Sequence, residues 1–140
     1  MKAALLAIAL LCASAGVTSA ADHAAEVSAY RRSRGLSVVK TDATLTAIAQ
    51  RQAATMARAG EVSHDADGSF SSRVSGLGRV RAAENVAAGK ATFAATLQQW
   101  DGSSGHKQNL LMPGATRIGV GAATNSNSRY KTFWALVITN

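Results

Sequence analysis

The chain has one cysteine, one proline, two tryptophans, two tyrosines, three phenylalanines and eight acids among 140 residues. Each shortage excludes something. Cys12 lies in an apolar N-terminal stretch, so a domain that begins after that stretch has no thiol, no disulfide and no cysteine-based metal site. Cys12 also makes a poor lipid anchor, because Leu11 before it is not small. Few aromatics leave little to stack on bases, and no nucleic-acid partner is expected. Beyond the N-terminal stretch no run approaches the ~20 apolar residues of a spanning helix, so the chain is not expected to be transmembrane. Scarce acids leave a net charge of +7. Its carriers are scattered: Arg31, Arg32 and Arg34 cluster once, and Arg79 and Arg81 form a weaker pair. The expectation is a solvated basic surface, with anionic cell-envelope polymers as a conceivable contact.

What is present begins with a targeting segment. Lys2 supplies the positive start, Ala3 to Leu11 the apolar stretch, and Thr18-Ser19-Ala20-Ala21 a small-residue cleavage region. Residues 1–21 are read as a signal peptide cut after Ala20 or Ala21, and 22–140 as one domain. The mature protein is expected to be secreted or periplasmic. Without disulfides, core packing must supply its stability.

Periodicity divides the domain into helices followed by strands. Asp22 can cap a helix to about Arg34, with Gly35 as its stop. Asp42 caps a second, whose Leu45, Ile48, Ala49, Gln52, Ala53 and Met56 share one face. Gly60 ends it in the left-handed conformation. His64 then falls on a connection or at the start of a strand. Phe70, Val74 and Leu77 suggest a helical turn, Ala82 to Ala88 a strand, and Thr92 a cap for Phe93, Leu97 and Trp100. Ser103 or Ser104 restarts a short helix that Pro113-Gly114 closes. Further on the period changes to two. Ile118, Val120 and Ala122 alternate with Gly119 and Gly121, Asn125 to Ser128 is a turn, and Phe133 to Ile138 is apolar on both faces. That last strand belongs at the centre of its sheet. Helices first and a hairpin last predict an α+β fold.

Three side chains stand out. His64, Glu84 and His106 lie in distinct settings, in a chain with only one other histidine. A neutral imidazole is the commonest metal ligand, and a carboxylate orients or completes such sites. His106 falls in the first turn of a helix, where the positive helix end favours the neutral form. Glu84 could act as general base on a metal-bound water, or simply pair with Arg79, Arg81 or a histidine. Asn85 is expected to satisfy backbone groups at a turn. Ser103 and Ser104 invite a Ser-His-Glu hydrolase, but Gly-x-Ser-x-Gly is absent and helix capping explains them more simply. There is no HExxH, Walker or GxGxxG motif. Asp65-Ala66-Asp67-Gly68 fails as a calcium loop, with glycine fourth instead of sixth. Trp100 and Trp134 sit in apolar patterns and are read as core.

Taken in order, His64 after a helix, Ala83-Glu84-Asn85-Val86-Ala87, Trp100 with Ser104-Gly105-His106 and Asn109-Leu110-Leu111, Arg117-Ile118-Gly119-Val120-Gly121 and a closing Trp134 strand resemble a CAP domain. This is the superfamily of cysteine-rich secretory proteins, antigen 5 and pathogenesis-related proteins, here in a bacterial SCP-like form. The resemblance spans about Val27 to Ile138. It implies a three-layer α-β-α sandwich with a small antiparallel central sheet and a cleft carrying two histidines and two acids. His64, Glu84 and His106 match three of these positions. The fourth, an acid three residues after the tryptophan, is Ser103 here. Asp101 does not replace it, since on a continued helix it would point about 160° away.

Three functions follow as expectations. The first is a secreted binding protein whose cleft holds Zn2+ or another divalent cation, or a small ligand, through His64 and His106. Glu84 would orient a ligating histidine or hold a water on the ion, with Asn85, Ser103 and Ser104 alongside. The second is a metal-assisted hydrolase of peptides or envelope polymers with Glu84 as base. The third is a surface that binds lipid or protein. Binding ranks above catalysis, because no complete catalytic set is present. No organic cofactor is expected, and the protein is expected to be a monomer.

Overall fold

A computed structural model of the chain describes residues 20–140, with side chains from His23 onward. The targeting segment therefore lies outside the described residues, apart from Ala20 and Ala21, which open the first helix. The elements are α1 (Ala20–Arg32), β1 (Lys40–Thr41), α2 (Ala43–Ala59), α3 (Phe70–Val74), a 3-10 turn (Ser75–Leu77), β2 (Ala82–Ala88), α4 (Phe93–Asp101), α5 (Ser104–Leu110), β3 (Arg117–Asn125) and β4 (Lys131–Thr139). Helix α1 starts and stops about two residues earlier than its composition predicted. The two-residue strand β1 was not anticipated; it is too short to leave a periodic signal.

Strand order is β1-β3-β4-β2, antiparallel except for the β1–β3 edge. β4 is central, as its two apolar faces require. Trp134, Leu136 and Ile138 point into one core with Phe93, Leu97 and Trp100 of α4, Val27 of α1 and Leu110 of α5. Phe133, Ala135 and Val137 point the opposite way, against Leu45, Ile48, Ala49, Ala53 and Met56 of α2. A sheet between these two cores gives the α-β-α sandwich.

Glycine allows a close approach between two of the layers. On β3, Ile118 and Val120 face the α4 side, so Gly119 and Gly121 face α2. A methyl group at Gly119 would sit 2.1 Å from the backbone carbon of Leu45, and one at Gly121 would sit 2.4 Å from Cα of Gln50. The backbone of α2 thus lies directly on that of β3. Gln50 takes advantage of the approach: its Nε2 donates to Ala122 O (2.8 Å), and its Oε1 accepts from Ala122 N (3.2 Å).

Arg31 departs from the expected solvated cluster. It is buried, and its guanidinium donates to Ser37 O (2.8 Å), Leu110 O (2.8 Å) and Met112 O (3.1 Å). These carbonyls belong to the turn after α1 and the C-terminal end of α5. The sequence could not reveal this, because a buried arginine satisfied by main-chain carbonyls needs no acid nearby. Gly121→Ala should therefore destabilise the protein by about 3 kcal/mol, since backbone rather than a side-chain tip must yield. A urea-unfolding midpoint within error of wild type would contradict this packing.

Candidate functional site

Helix α2 delivers His64. Asp42 caps the helix start by accepting from Leu45 N (2.9 Å), and Gly60, at φ 73°, closes its end with N–H bonds to Met56 O and Ala57 O. The chain leaves in a turn that Gln52 grips from within α2. Gln52 Nε2 donates to Ser63 O (2.5 Å), and Oε1 accepts from Asp67 N (3.0 Å). The apolar spacing placed Gln52 on the buried face; a glutamine among aliphatic residues there was the sign that a loop would need holding.

Within this turn, Nδ1 of His64 lies 2.9 Å from Oε1 of Glu84. The histidine side chain is 53% exposed and the glutamate 1%. A buried carboxylate accepting Nδ1–H fixes the tautomer and leaves the Nε2 lone pair free. Glu84 itself is held by a residue that the sequence reading passed over. Arg73, in α3, donates to Oε2 through Nη1 (2.6 Å) and to Oε1 through Nη2 (2.9 Å), with its own side chain 4% exposed. Nη2 also reaches His64 O (2.8 Å), and Nε reaches Gly68 O (3.2 Å). One guanidinium thus ties the His64 main chain, the loop after it and the carboxylate that orients the His64 ring. Of the partners expected for Glu84, the histidine is found, as His64, and the arginine is Arg73 rather than Arg79 or Arg81. Phe70 and Val74 had located the helical turn, but nothing in the sequence singled out the arginine between them.

Successive residues of β2 face opposite layers. Glu84 points toward the α2–α3 side, and Asn85 toward α5. Asn85 is buried in mid-strand rather than at a turn. Its Nδ2 donates to His106 O (3.0 Å), and its Oδ1 accepts from Asn109 Nδ2 (2.9 Å), which also reaches Glu84 O (3.1 Å). The expected role of satisfying backbone holds, in a different place. His106, in the first turn of α5, lies beside Trp100, with ring centroids 6.5 Å apart. Its pKa lies below the ordinary 6.5, chiefly through burial and secondarily through repulsion by His64. The two imidazoles are therefore close enough to feel one another, and His106 is held toward its neutral form.

Ser103 is the N-cap residue of α5, yet its side chain makes no capping bond. Capping therefore does not account for its hydroxyl. Asp101 is engaged elsewhere: it accepts from Tyr30 Oη (2.6 Å) and pairs with Lys107 (3.3 Å) and Arg34 (3.4 Å). Burial first, and that hydrogen bond second, push the Tyr30 pKa up to about 12. Asp101 thus does not stand in for the acid absent at position 103. Among the described residues, no group of three or more His, Cys, Asp or Glu side chains is arranged to hold a metal ion. The structure joins His64 to Glu84 and brings His106 within electrostatic reach of His64, but the three do not form a three-ligand cage.

Comparison with known proteins gives this geometry a family. The Cysteine-rich secretory protein (CAP) profile matches residues 24–138. The chain belongs to that family, although its matched segment contains no cysteine. No curated protein matched. Among solved structures, an outer surface protein of Borrelia burgdorferi superposes with TM-score 0.72 at 18% identity, covering 83% of this chain and 87% of that one. An extracellular SCP-domain protein of Bacillus anthracis gives 0.67 at 27% identity, over 80% of this chain and 37% of that one. A cysteine-rich secretory protein of Staphylococcus aureus gives 0.62 at 18%, over 89% and 40%. The chain spans about two fifths of the length of the last two.

Two outcomes follow from the site chemistry. Glu84→Gln leaves the buried Arg73 charge without its counterion and should cost about 3 kcal/mol in urea unfolding; a loss below about 1 kcal/mol would show that the pair is not desolvated. The lowered pKa of His106 means that the unfolded chain takes up its proton at higher pH than the folded one. Its contribution to stability is complete above the unfolded value near 6.5 and is lost as pH falls from there toward the folded value. Between about pH 7.5 and about pH 5.5 the wild-type midpoint should fall more steeply than that of His106→Asn. Parallel profiles would contradict this.

Proposed function

We propose that this is an exported CAP-domain binding protein whose cleft holds a divalent cation, zinc by preference, through Nε2 of His64 and the neutral imidazole of His106. The observation that carries the reading is the 2.9 Å contact between the buried Glu84 carboxylate and Nδ1 of a half-exposed His64. This carboxylate–imidazole arrangement orients a histidine for ligation. The donor set fits a cation bound by two imidazoles and completed by solvent or ligand; it does not fit a cage of three protein ligands. When bound, such an ion would supply Lewis acidity at the cleft. The chain's own contribution is to hold one ring by Glu84 and Arg73, and to keep the other uncharged by burial.

Export rests on the composition of residues 1–21, with 22–140 as the mature domain. The extracellular and outer-surface descriptions of the Bacillus and Borrelia proteins agree with it. Among the described residues no helix is long and apolar enough to cross a membrane. For a hydrolase with Glu84 as base the geometry is unfavourable, because Arg73 and His64 already engage both carboxylate oxygens. Binding is therefore the better reading.

Titration calorimetry should show zinc uptake at roughly micromolar strength or tighter, abolished in the His64→Ala, His106→Ala double variant. Equal uptake by both proteins would exclude the reading.

A further inference from the structure

The charge of the site is already balanced before any cation arrives. Glu84 is the carboxylate in contact with the His64 ring, and the bidentate contact with Arg73 cancels its charge at 2.6 and 2.9 Å in a nearly solvent-free setting. Position 103, three residues past Trp100, holds a serine whose hydroxyl does not cap α5. Asp101 is bound by Tyr30, Lys107 and Arg34. Asp67 pairs with Arg51. The imidazoles would therefore supply two neutral donors, and Glu84, already paired with Arg73, would offset little of the charge of a divalent ion. A hard or borderline cation in that position retains nearly its full charge, and the cleft is a strong attractor for an anionic oxygen ligand.

We infer that the cleft takes its cation together with an oxyanion, a carboxylate or phosphoryl group of the ligand, because Arg73 withholds Glu84 from the ion. This rests on the two-imidazole reading above and names the ligand class that it implies. The anion replaces solvent in the positions that the protein leaves open, and Ser103 offers a neutral hydroxyl donor rather than a repelling acid. Arg73 is then a positioning residue whose charge selects for anionic ligands without touching them. Linkage requires the effect to be reciprocal: the oxyanion must bind more tightly when the metal is present.

The test is zinc calorimetry on the wild-type protein at constant ionic strength, alone, with acetate and with methylphosphonate. The two anions distinguish a carboxylate from a phosphoryl source. Saturating oxyanion should tighten zinc binding by about tenfold or more, and the better anion identifies the group. Zinc binding of equal strength with and without either anion would overturn this inference and leave the two-histidine site standing. No zinc uptake under any condition would overturn the site itself, and the inference with it. In Arg73→Met, whose fold is checked by circular dichroism, the freed carboxylate should tighten anion-free zinc binding and shrink the anion effect to below about twofold. Zinc binding weakened in a folded Arg73→Met protein would show that Arg73 does not withhold Glu84.

Discussion

The seating of α2 on the glycine face of β3 governs the rest of the structure. Because Gly119 and Gly121 lack Cβ atoms, the helix backbone rests on the strand backbone, and little freedom remains in its height or its position along the strand. Asp42 fixes where the helix begins and Gly60 where it ends. The emergence point of the following turn is thereby set relative to the sheet, and with it the distance from His64 to Glu84 on β2. β4 transmits that constraint. It pairs with β3 on one side and β2 on the other, so Gly119 and Glu84 are both registered against Val137.

Around this frame the polar groups act as local fasteners. Gln52, Arg73 and Arg31 are each withdrawn from solvent, and each bonds main-chain groups of a loop. Gln52 and Arg73 hold the His64 turn, and Arg31 holds the C-terminal end of α5, the helix whose first turn carries His106. Buried polar groups left without partners cost about 1–3 kcal/mol each, so a loop that supplies the partners is held where it does so. In a domain without disulfides, such contacts replace covalent staples for segments that present little apolar surface.

This division explains what could be read from the sequence. Helical and alternating periods gave the two long helices, strand β2, the hairpin and the central place of β4, because those signals are carried by many residues at once. The family motifs gave the sandwich. The sequence was silent where one long polar side chain reaches across the fold. Arg73 lies 11 residues from Glu84, and Arg31 lies 79 from Leu110. Neither pairing leaves a pattern in composition or spacing. Arg31 was misjudged because its neighbours Arg32 and Arg34 are exposed, and a charge cluster usually is. The glycines of β3 were visible as an alternation, but their role became apparent only with α2 in place.

The alternation of β2 carries the final step. Glu84 and Asn85 are adjacent, and a strand sends neighbours to opposite faces, so the carboxylate serves the loop after α2 while the amide serves α5. The two histidines consequently come from different layers, His64 from the loop after α2 and His106 from α5. In this site the Glu84 carboxylate lies behind the half-exposed His64 ring and is already neutralised by Arg73. Such a carboxylate can orient a ring or raise its basicity, but it is poorly placed to take a proton from a water on the open side. On the reading proposed above, the same buried pair favours binding over Glu84-driven hydrolysis.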